Sequence, residues 1–273
     1  MLKFSERKGF TPVSRIIQTE GMSDELRNSL WNVLHAQIFG KRSFMQWAGD
    51  RTPLIFWFSE QIWADYLKKP IDERPELPGS IFDLIRDYFF RVPWYEVYNF
   101  IEFIVKLCAK GYPTLEPTLN YVLERELAGY RIVAGIVTDI THPQEVAALQ
   151  AALEDDKFSG VTKHLQTALE HLSRKENPDY RNSIKESISA VEAMANIITG
   201  NPKATLGDAL KNLEAKKKIH GALKNGFSSL YGYTSNAGGI RHAMLDEPNI
   251  MAHDAKYFLL SCTSFVQYLK TLL

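Results

Sequence analysis

The stretch "NPDYRNSIKESISAVEAMANIITG", residues 177–200, decides the fold of the second half of the chain. Asn177 is the predicted N-cap of a helix, Pro178 takes its first position and Gly200 ends it. Apolar residues then repeat at heptad spacing, which is typical of a bundle seam: Ile184, Ile188, Val191, Ala195 and Ile198. We therefore expect this half of the protein to be a helical bundle.

The stretches on either side extend this bundle. Residues 161–177, "VTKHLQTALEHLSRKEN", predict a helix before the seam helix. A last helix closes the chain, and its apolar residues lie on one face: Ala255, Phe258, Leu259, Cys262, Val266 and Leu269. The bundle is thus predicted to span residues 161–273.

The first half of the chain is rich in aromatic residues and is also predicted to be helical. Ser23 is a plausible N-cap, Ser80 caps a later helix, and Gly111 is the expected C-cap of the helix that starts near Trp94. After Ser23 one apolar stripe is formed by Leu26, Leu30, Val33, Leu34 and Ile38. The aromatic side chains could fill a core or line a ligand groove, and a core is the commoner use.

The helical spacing of apolar residues ends at the stretch "GYRIVAGIVTDITHP". It is rich in β-branched residues and is split by Ala134 and Gly135, which predicts a two-strand hairpin near residues 129–141. We place the first, helical domain at residues 1–142 and a connecting helix or linker at 143–160. The predicted fold class is mainly α, with one small β-hairpin.

Composition restricts the possible functions. The chain has 32 Lys and Arg against 32 Asp and Glu, so any anion site must be local. Cys108 and Cys262 lie in apolar runs and predict reduced core thiols in a cytoplasmic protein. The densest apolar stretch contains Glu96, Glu102 and Lys106, which argues against a membrane span. We expect a cytoplasmic location and no membrane partner.

Metal and cofactor motifs are not found in the sequence. His164 and His171 are seven residues apart on one predicted helix, too far for a shared ion, and no His or Cys cluster has zinc-like spacing. Phosphate-binding loops, dinucleotide fingerprints and nucleophile elbows are also missing. The sequence therefore predicts neither a metal nor a cofactor.

A lysine run near residue 216 has two interpretations. Lys216, Lys217 and Lys218 could bind an RNA backbone, or they could be solvated residues near a helix C-terminus, where the dipole favours cations. A repeated tetrapeptide, "RNSL" at 27–30 and "RNSI" at 181–184, is attributed to chance and similar helix-start chemistry. Arg181 could nevertheless face the same bundle end as Arg241, so it joins the predicted RNA-binding set.

The stretch "GGIRHAMLDEPN", residues 238–249, is the candidate catalytic segment. Arg241 can grip a phosphate with two hydrogen bonds, and His242 can move a proton near neutral pH. Together they are the minimum needed to cleave RNA without a metal. Alternatively, Arg241 pairs with Asp246 or Glu247 across the turn and His242 caps the preceding helix.

Segments distributed along nearly the whole chain resemble known families. The first half resembles the N-terminal domain of AbiJ-type abortive-infection proteins, and the second half resembles a HEPN domain, a helical bundle of prokaryotic toxins and defence proteins. The segments are "FSERKGFTPV", "IIQTEGMSDELRNSLWNVL", "WYEVYNFIEFI", "LERELAGYRIVAGIVTDIT", "NPDYRNSIKESISAVEA", "GNPKATLGDAL" and "LYGYTSNAGGIRHAMLDEPN".

This resemblance implies a mechanism. HEPN ribonucleases dimerise through their bundles, and an Arg and a His from each copy line a cleft where RNA is cut without metal. In abortive infection this cleavage halts the growth of a phage-infected cell. By this resemblance the arginine corresponds to Arg241, at the entry to the last helical segment.

The histidine departs from the family pattern, which places four to six residues between Arg and His. Here that window ends at Asp246, Glu247 or Pro248. Adjacent residues diverge by about 100° on a helix, so Arg241 and His242 of one chain do not easily serve one phosphate. Either Arg241 meets His242 of a second subunit across a two-fold axis, which we favour, or the loop brings His253 to Arg241.

Three hypotheses follow. The first is an antiphage abortive-infection effector, a homodimeric, metal-independent HEPN-type endoribonuclease with Arg241, His242 and His253 as candidate catalytic residues. The second is a non-catalytic HEPN-like module that binds a nucleotide, RNA or a protein and regulates a defence system. In either case the expected partners include an RNA substrate and a protein or phage-derived trigger. The third is a scaffold whose bundle only dimerises.

Overall fold

The computed structural model of the protein describes residues 17–41, 54–174, 178–201, 204–216, 218–236 and 250–273, together with Phe4, Lys8 and Phe10. Two compact units divide the chain, unit 1 at Met1–Thr141 and unit 2 at His142–Leu273. Within the described helices, none combines the length and the apolar character that a membrane span requires.

Unit 1 is mainly helical. Its described helices and strands are α1 (Asp24–Leu34), α2 (Leu54–Gln61), α3 (Pro78–Arg91), α4 (Trp94–Cys108), α5 (Leu115–Arg125), β1 (Arg131–Val133) and β2 (Ile136–Thr138). The π-helical segments His35–Phe39 and Ile62–Tyr66 extend α1 and α2. The prediction that this part of the chain is helical with one small hairpin is confirmed.

Helix α1 begins where the sequence predicts. Ser23 is its N-cap, and the hydroxyl of Ser23 accepts a hydrogen bond from the Leu26 N–H at 3.2 Å. The whole predicted apolar stripe is buried: Leu26, Leu30, Val33, Leu34 and Ile38. Local capping and helical periodicity are therefore enough to position this helix.

Aromatic rings form much of the core of unit 1. The Trp31 ring packs against the rings of Phe39, Phe82, Phe89 and Phe90, with centroids 5.2 to 5.9 Å apart. Ring pairs at such distances add to the stability that burial of their area provides. These aromatic residues fill a core, which is the commoner of the two uses predicted for them.

Two predicted helix boundaries in unit 1 are wrong. Helix α3 begins at Pro78, with Leu77 at the N-cap position, and not after Ser80. The proline ring already has a helical φ and needs no hydrogen-bonded N–H in the first turn, so the helix starts earlier. Helix α4 has Ala109 as its C-cap, and Gly111 follows two residues later, where its N–H donates to the Cys108 carbonyl at 2.9 Å.

The predicted hairpin is confirmed. Strands β1 and β2 are antiparallel, and Arg131 lies opposite Thr138. Ala134 and Gly135 form the turn with φ of 48° and 75°. Both values lie in the left-handed region, which a two-residue hairpin turn requires at its central positions.

Polar side chains of α4 and α5 hold the hairpin, and we call Glu102, Glu116 and Asn120 the hairpin cradle. The Glu116 carboxylate accepts from the turn N–H groups of residues 134 and 135 at 3.1 and 2.9 Å. Glu102 accepts from the Val137 N–H at 2.5 Å, and the Asn120 amide bonds both backbone groups of Ile132 at 2.7 Å. A two-strand hairpin is marginal in water, so these bonds supply part of its stability.

Unit 2 consists of helices in its described ranges. They are α6 (Pro143–Leu153), α7 (Ser159–Leu172), α8 (Tyr180–Thr199), α9 (Leu206–Ala215), α10 (Gly221–Asn236) and α11 (Ala252–Lys270). Helix α8 packs against α7, α9, α10 and α11. Helix α6, in the segment that the sequence assigns to a connection, packs against α7 and α11.

The seam predicted for α8 is largely confirmed. Four of its five residues are buried (Ile184, Ile188, Val191 and Ala195), and Ile198 is half-buried near the end of the helix. Gly200 ends the helix with φ of 69°, the left-handed conformation that glycine adopts most easily. The predicted apolar face of α11 is entirely buried, and both cysteines are buried, free thiols.

The predicted start of α8 is corrected. The helix begins at Tyr180 with Asp179 as N-cap, so Pro178 precedes the helix and does not occupy its first turn. Asn177, the predicted cap, lies outside the described residues. Asp179 takes the capping role because its carboxylate accepts from the Asn182 N–H at 3.0 Å.

Candidate functional site

Three of the predicted site residues, Arg241, His242 and Lys217, lie outside the described residues. The acidic residues Asp246 and Glu247, which could pair with Arg241, lie outside them as well. The described chain reaches Asn236 at the end of α10 and resumes at Ile250, just before α11. The site is therefore built from the described residues of unit 2 at the bundle end where α11 begins.

Two ion pairs orient α6 and α11. Near the start of both helices, Lys256 Nζ lies 3.9 Å from a Glu145 carboxylate oxygen. Near their ends, Lys270 Nζ lies 2.8 Å from the Asp155 carboxylate. The two helices therefore run in the same direction, and the start of α11 shares one bundle end with the start of α6.

Helices α7 and α8 form an antiparallel pair. His164 Nδ1 lies 2.6 Å from the Glu186 carboxylate, and the Ser183 hydroxyl donates to the Ala168 carbonyl at 2.8 Å. Helix α7 starts beside Asp155, at the end of α11, so it finishes at the opposite bundle end. We call that end of unit 2, where α7 finishes and α8 and α11 begin, the polar end.

The first turn of α8 carries an anionic cap at the polar end. Burial by itself would raise the pKa of the Asp179 carboxyl. Hydrogen bonds from the Asn182 backbone N–H and side-chain amide, together with the charges of His171 and Arg174, outweigh burial and hold that pKa below its usual range. The two bonds from Asn182 measure 3.0 and 2.6 Å. The carboxylate is therefore a stable negative charge beside the last turn of α7.

The last turn of α7 contributes two polar atoms without partners. His171 Nδ1 and the Ser173 hydroxyl are both enclosed and make no hydrogen bond. Enclosed polar atoms in proteins are nearly always hydrogen-bonded, so each such exception calls for an explanation. The two atoms are therefore unsatisfied polar groups inside the polar end.

Two predicted site residues lie at this same end. Arg181 is half-buried in the first turn of α8. The His253 side chain, in the first turn of α11, is 79% exposed, with Nε2 3.7 Å from the Asp254 carboxylate. Arg181 and His253 thus lie at one end of the bundle, while the predicted proximity of Arg181 to Arg241 stays a prediction because Arg241 lies outside the described residues.

The described lysines of the predicted RNA-binding set lie elsewhere. Lys216 is exposed at the C-cap of α9, and Lys218 donates through Nζ to the Leu272 carbonyl at 2.8 Å, beyond the end of α11. Helix α11 has 19 residues and spans about 28 Å. Within one chain, Lys216 and Lys218 therefore lie at the opposite end of unit 2 from Arg181 and His253.

A second candidate site is an open groove between α6 and α11, with a cavity volume of about 420 Å³. The lining residues are His142, Gln144, Glu145, Ala148, Leu260, Ser261, Thr263 and Ser264. Thr263 is only 1% exposed, and its hydroxyl is enclosed and makes no hydrogen bond. Six of these eight residues carry polar side chains, so the groove offers hydrogen-bonding groups to a small polar ligand.

The sequence interpretation missed His171, Ser173 and Asp179. It tested His164 and His171 only as ligands of one metal ion. Two acids, Asp179 and Glu186, are also seven residues apart in the following segment. On antiparallel neighbouring helices, equal spacing can place each histidine on the same side as one acid. Matched spacing of two histidines and two acids on consecutive helices was the signal that could have identified this site.

Comparison with known proteins gave one family. A family model described as AbiJ N-terminal domain 4 matches residues 2–155, which covers unit 1 and continues through α6. No curated protein and no solved structure matches the chain.

Proposed function

The chain belongs to the AbiJ N-terminal domain 4 family, and from that premise we propose that the protein is an antiphage abortive-infection effector. Membership of this family suggests an abortive-infection, or defence, context. We further propose that unit 2 is a HEPN-like bundle that cleaves RNA without a metal ion. The protein acts in the cytoplasm as a homodimer formed through this bundle, in response to a protein or phage-derived trigger.

The observation that carries the RNase proposal is the composition of the polar end. A guanidinium at Arg181, an imidazole at His253, and the enclosed polar atoms of His171 and Ser173 lie where α11 begins. The segment with Arg241 and His242 directly precedes α11 in the sequence. Cationic and proton-transferring side chains in one region supply the chemistry that phosphodiester cleavage requires.

The proposed reaction is a transesterification. The ribose 2′ oxygen attacks the phosphorus, its proton passes to an imidazole, and the bond from phosphorus to the 5′ oxygen breaks. Arg241 stabilises the charge of the pentavalent phosphate, and His242 of the second subunit is the favoured imidazole, with His253 as the other candidate. The departing 5′ oxygen takes up a proton from water, so the products are a 2′,3′-cyclic phosphate and a 5′ hydroxyl.

The test uses the purified full-length protein, bacterial total RNA and an excess of chelator. We expect the wild type to cleave RNA, and Arg241→Ala and His242→Ala each to slow cleavage by about 100-fold or more. Arg91→Ala is the control, because the Arg91 side chain is 79% exposed in unit 1. Full activity of both site variants, or no cleavage by the wild type, would remove the proposal.

A second candidate is a non-catalytic module that binds a nucleotide, RNA or a protein and regulates a separate effector. Two observations favour it: the groove between α6 and α11 can accept a small polar ligand, and the Lys218 ammonium is bonded within its own chain. This function predicts binding without cleavage. Calorimetric titration with nucleotides, with Ser264→Trp to fill the groove, distinguishes it from the enzyme.

A further inference from the structure

The groove between α6 and α11 carries a single acidic side chain among its described lining residues. Glu145, in the first turn of α6, contributes this carboxylate, and no lysine or arginine is among the residues that line the groove. A negative charge on the wall of an open groove attracts a cation and repels an anion. The lining therefore favours a ligand with a positive group over a phosphorylated one.

An ammonium group of the chain itself already approaches this carboxylate. Lys256 Nζ lies 3.9 Å from the Glu145 carboxylate oxygen, and the two side chains are 32% and 37% exposed. A charge-assisted hydrogen bond between such groups is shorter, about 2.8 Å. A long, partly exposed pair of this kind contributes little to stability, so a ligand ammonium can replace Lys256 as the partner of Glu145.

Two hydroxyls of α11 are open to a ligand in the same groove. Several helical hydroxyls of unit 2 bond a backbone carbonyl: Thr167, Ser183, Ser187 and Thr199. Within the described part of the chain, the side chains of Ser261 and Ser264 make no such bond; Ser261 is half-buried and Ser264 is exposed. The Thr263 hydroxyl is enclosed, so we assign it to the floor and give it no ligand contact.

The carboxylate and the hydroxyls lie at different places along the groove. Lys256, beside Glu145, and Ser264 are eight residues apart on α11, which is a rise of about 12 Å. Ala148 and Leu260 fall between them on the two helices and provide apolar wall. This order suits a ligand with a cationic group at one end, a carbon ring in the middle and hydroxyls at the other end.

Other groups at the start of α6 reduce the attraction for a cation without removing it. The N-terminus of α6 carries the positive end of its helix dipole, and the His142 side chain also lines the groove. Lys256 nevertheless holds its ammonium beside Glu145 in this setting. A cation is therefore accommodated at the position where the ligand would bind.

We propose that the groove binds a small, hydroxyl-rich ligand that carries an ammonium group, of which an amino sugar is the simplest kind. Its ammonium binds the Glu145 carboxylate and its hydroxyls bond Ser261 and Ser264. This inference rests on the second candidate function, which gives the groove a binding role, and it names the class of ligand. It does not depend on RNA cleavage by unit 2.

The test is calorimetric titration of the full-length protein near neutral pH with glucosamine, glucose and glucose 6-phosphate. The three probes share one ring and differ in charge, and glucosamine should bind most tightly and glucose 6-phosphate least. Glu145→Gln keeps the shape of the side chain and should lower the affinity for glucosamine by about 10-fold, with little change for glucose. Lys256→Met removes the competing ammonium and should raise the affinity for glucosamine by about 2- to 5-fold.

Lys185→Met is the matched control, because Lys185 is exposed on α8 and does not line the groove. It removes the same charge and should leave the affinity for glucosamine unchanged. Ser264→Trp fills the groove and should abolish binding, which verifies the location. Circular dichroism verifies the fold of each variant.

The outcomes separate this inference from the functions proposed above. Equal affinity for glucosamine and glucose, or an affinity for glucosamine that neither Glu145→Gln nor Lys256→Met changes, overturns the inference. Tighter binding of glucose 6-phosphate than of glucosamine also overturns it, but leaves the second candidate function with a nucleotide as ligand. No binding of any probe or nucleotide in the groove overturns both, and the RNase proposal stands in every case.

Discussion

The hairpin cradle of unit 1 and the polar end of unit 2 use similar side chains in opposite ways. In the cradle, Glu116 and Glu102 bond backbone N–H groups of the hairpin at 2.5 to 3.1 Å. At the polar end, Asp179 completes a helix cap, but His171 Nδ1 and the Ser173 hydroxyl have no partner. The cradle is complete within the chain, whereas the polar end has hydrogen-bonding capacity to spare.

Unit 1 also contains enclosed polar atoms without partners, and they sharpen the comparison. Trp63 Nε1 and the Tyr98 hydroxyl belong to rings that are each 5% exposed within the core. His171 and Ser173 are half-buried as residues, although their two unpartnered atoms are enclosed. An enclosed polar atom without a partner has a cost in stability, so both units carry this cost.

The largest expected effect comes from breaking the cradle. Glu116→Ala removes the acceptor of two turn N–H groups and should lower the free energy of unfolding by about 2–3 kcal/mol, without slowing RNA cleavage by the folded protein. All five tryptophans lie in unit 1, so denaturant unfolding followed by tryptophan fluorescence reports on this unit. Exposed Glu76→Ala is the control and should change the stability little. An unchanged midpoint for Glu116→Ala would contradict the structural role of the cradle.

A smaller effect is expected at the Asp179 cap. Asp179→Ala should destabilise unit 2 by about 1 kcal/mol at neutral pH, and Asp179→Asn by less, because asparagine also caps helices. The pKa of Asp179 is lower in the folded protein than in an unfolded chain, so its ionised form favours folding. This stability is present above the unfolded pKa, near 3.9, and is lost as the pH falls through the folded pKa.

The measurement is urea unfolding by far-UV circular dichroism at pH 7 and at pH 2 to 3. The difference between the wild type and Asp179→Asn should shrink at the acid pH. A difference that grows on acidification would show that Asp179 is not stabilised as an anion.

The smallest effect compares two left-handed glycines, Gly135 in the hairpin turn and Gly200 at the end of α8. Alanine at either position has an unfavourable φ and should cost up to about 1 kcal/mol. A Cβ at Gly135 would lie 3.1 Å from Lys106 Cγ, while one at Gly200 meets no atom within 4 Å. Thermal unfolding should therefore show a larger loss for Gly135→Ala; equal or reversed losses would contradict the closer packing of the hairpin.

Much of the fold could be predicted because its signals are local. The stripe of α1, the face of α11 and the turn at Ala134 and Gly135 depend on residues within a few positions of each other. The predicted helix starts were less accurate. Helix α3 begins at Pro78 instead of after Ser80, and Asp179 is the N-cap of α8 in place of Asn177. Several residue types can start a helix, and the surrounding packing selects one of them.

The candidate site was less predictable. Arg181 and His253 were identified from the sequence, and the structure assigns both to the polar end. His164 and His171 were considered only as ligands of one metal ion, so the contact of His164 with Glu186 on the next helix was missed. Lys216 and Lys218 were grouped with Arg181, although the length of α11 separates them within one chain.

By itself, the sequence determined the helical character of both units, the apolar face of each main helix and the single hairpin, because period and turn chemistry act over a few residues. Only the tertiary structure decided which polar groups meet. Glu116 reaches a turn 18 residues away, and His164 meets Glu186 because α7 and α8 pack side by side in antiparallel orientation. Such meetings depend on the register between packed helices, which residue spacing within one helix does not specify.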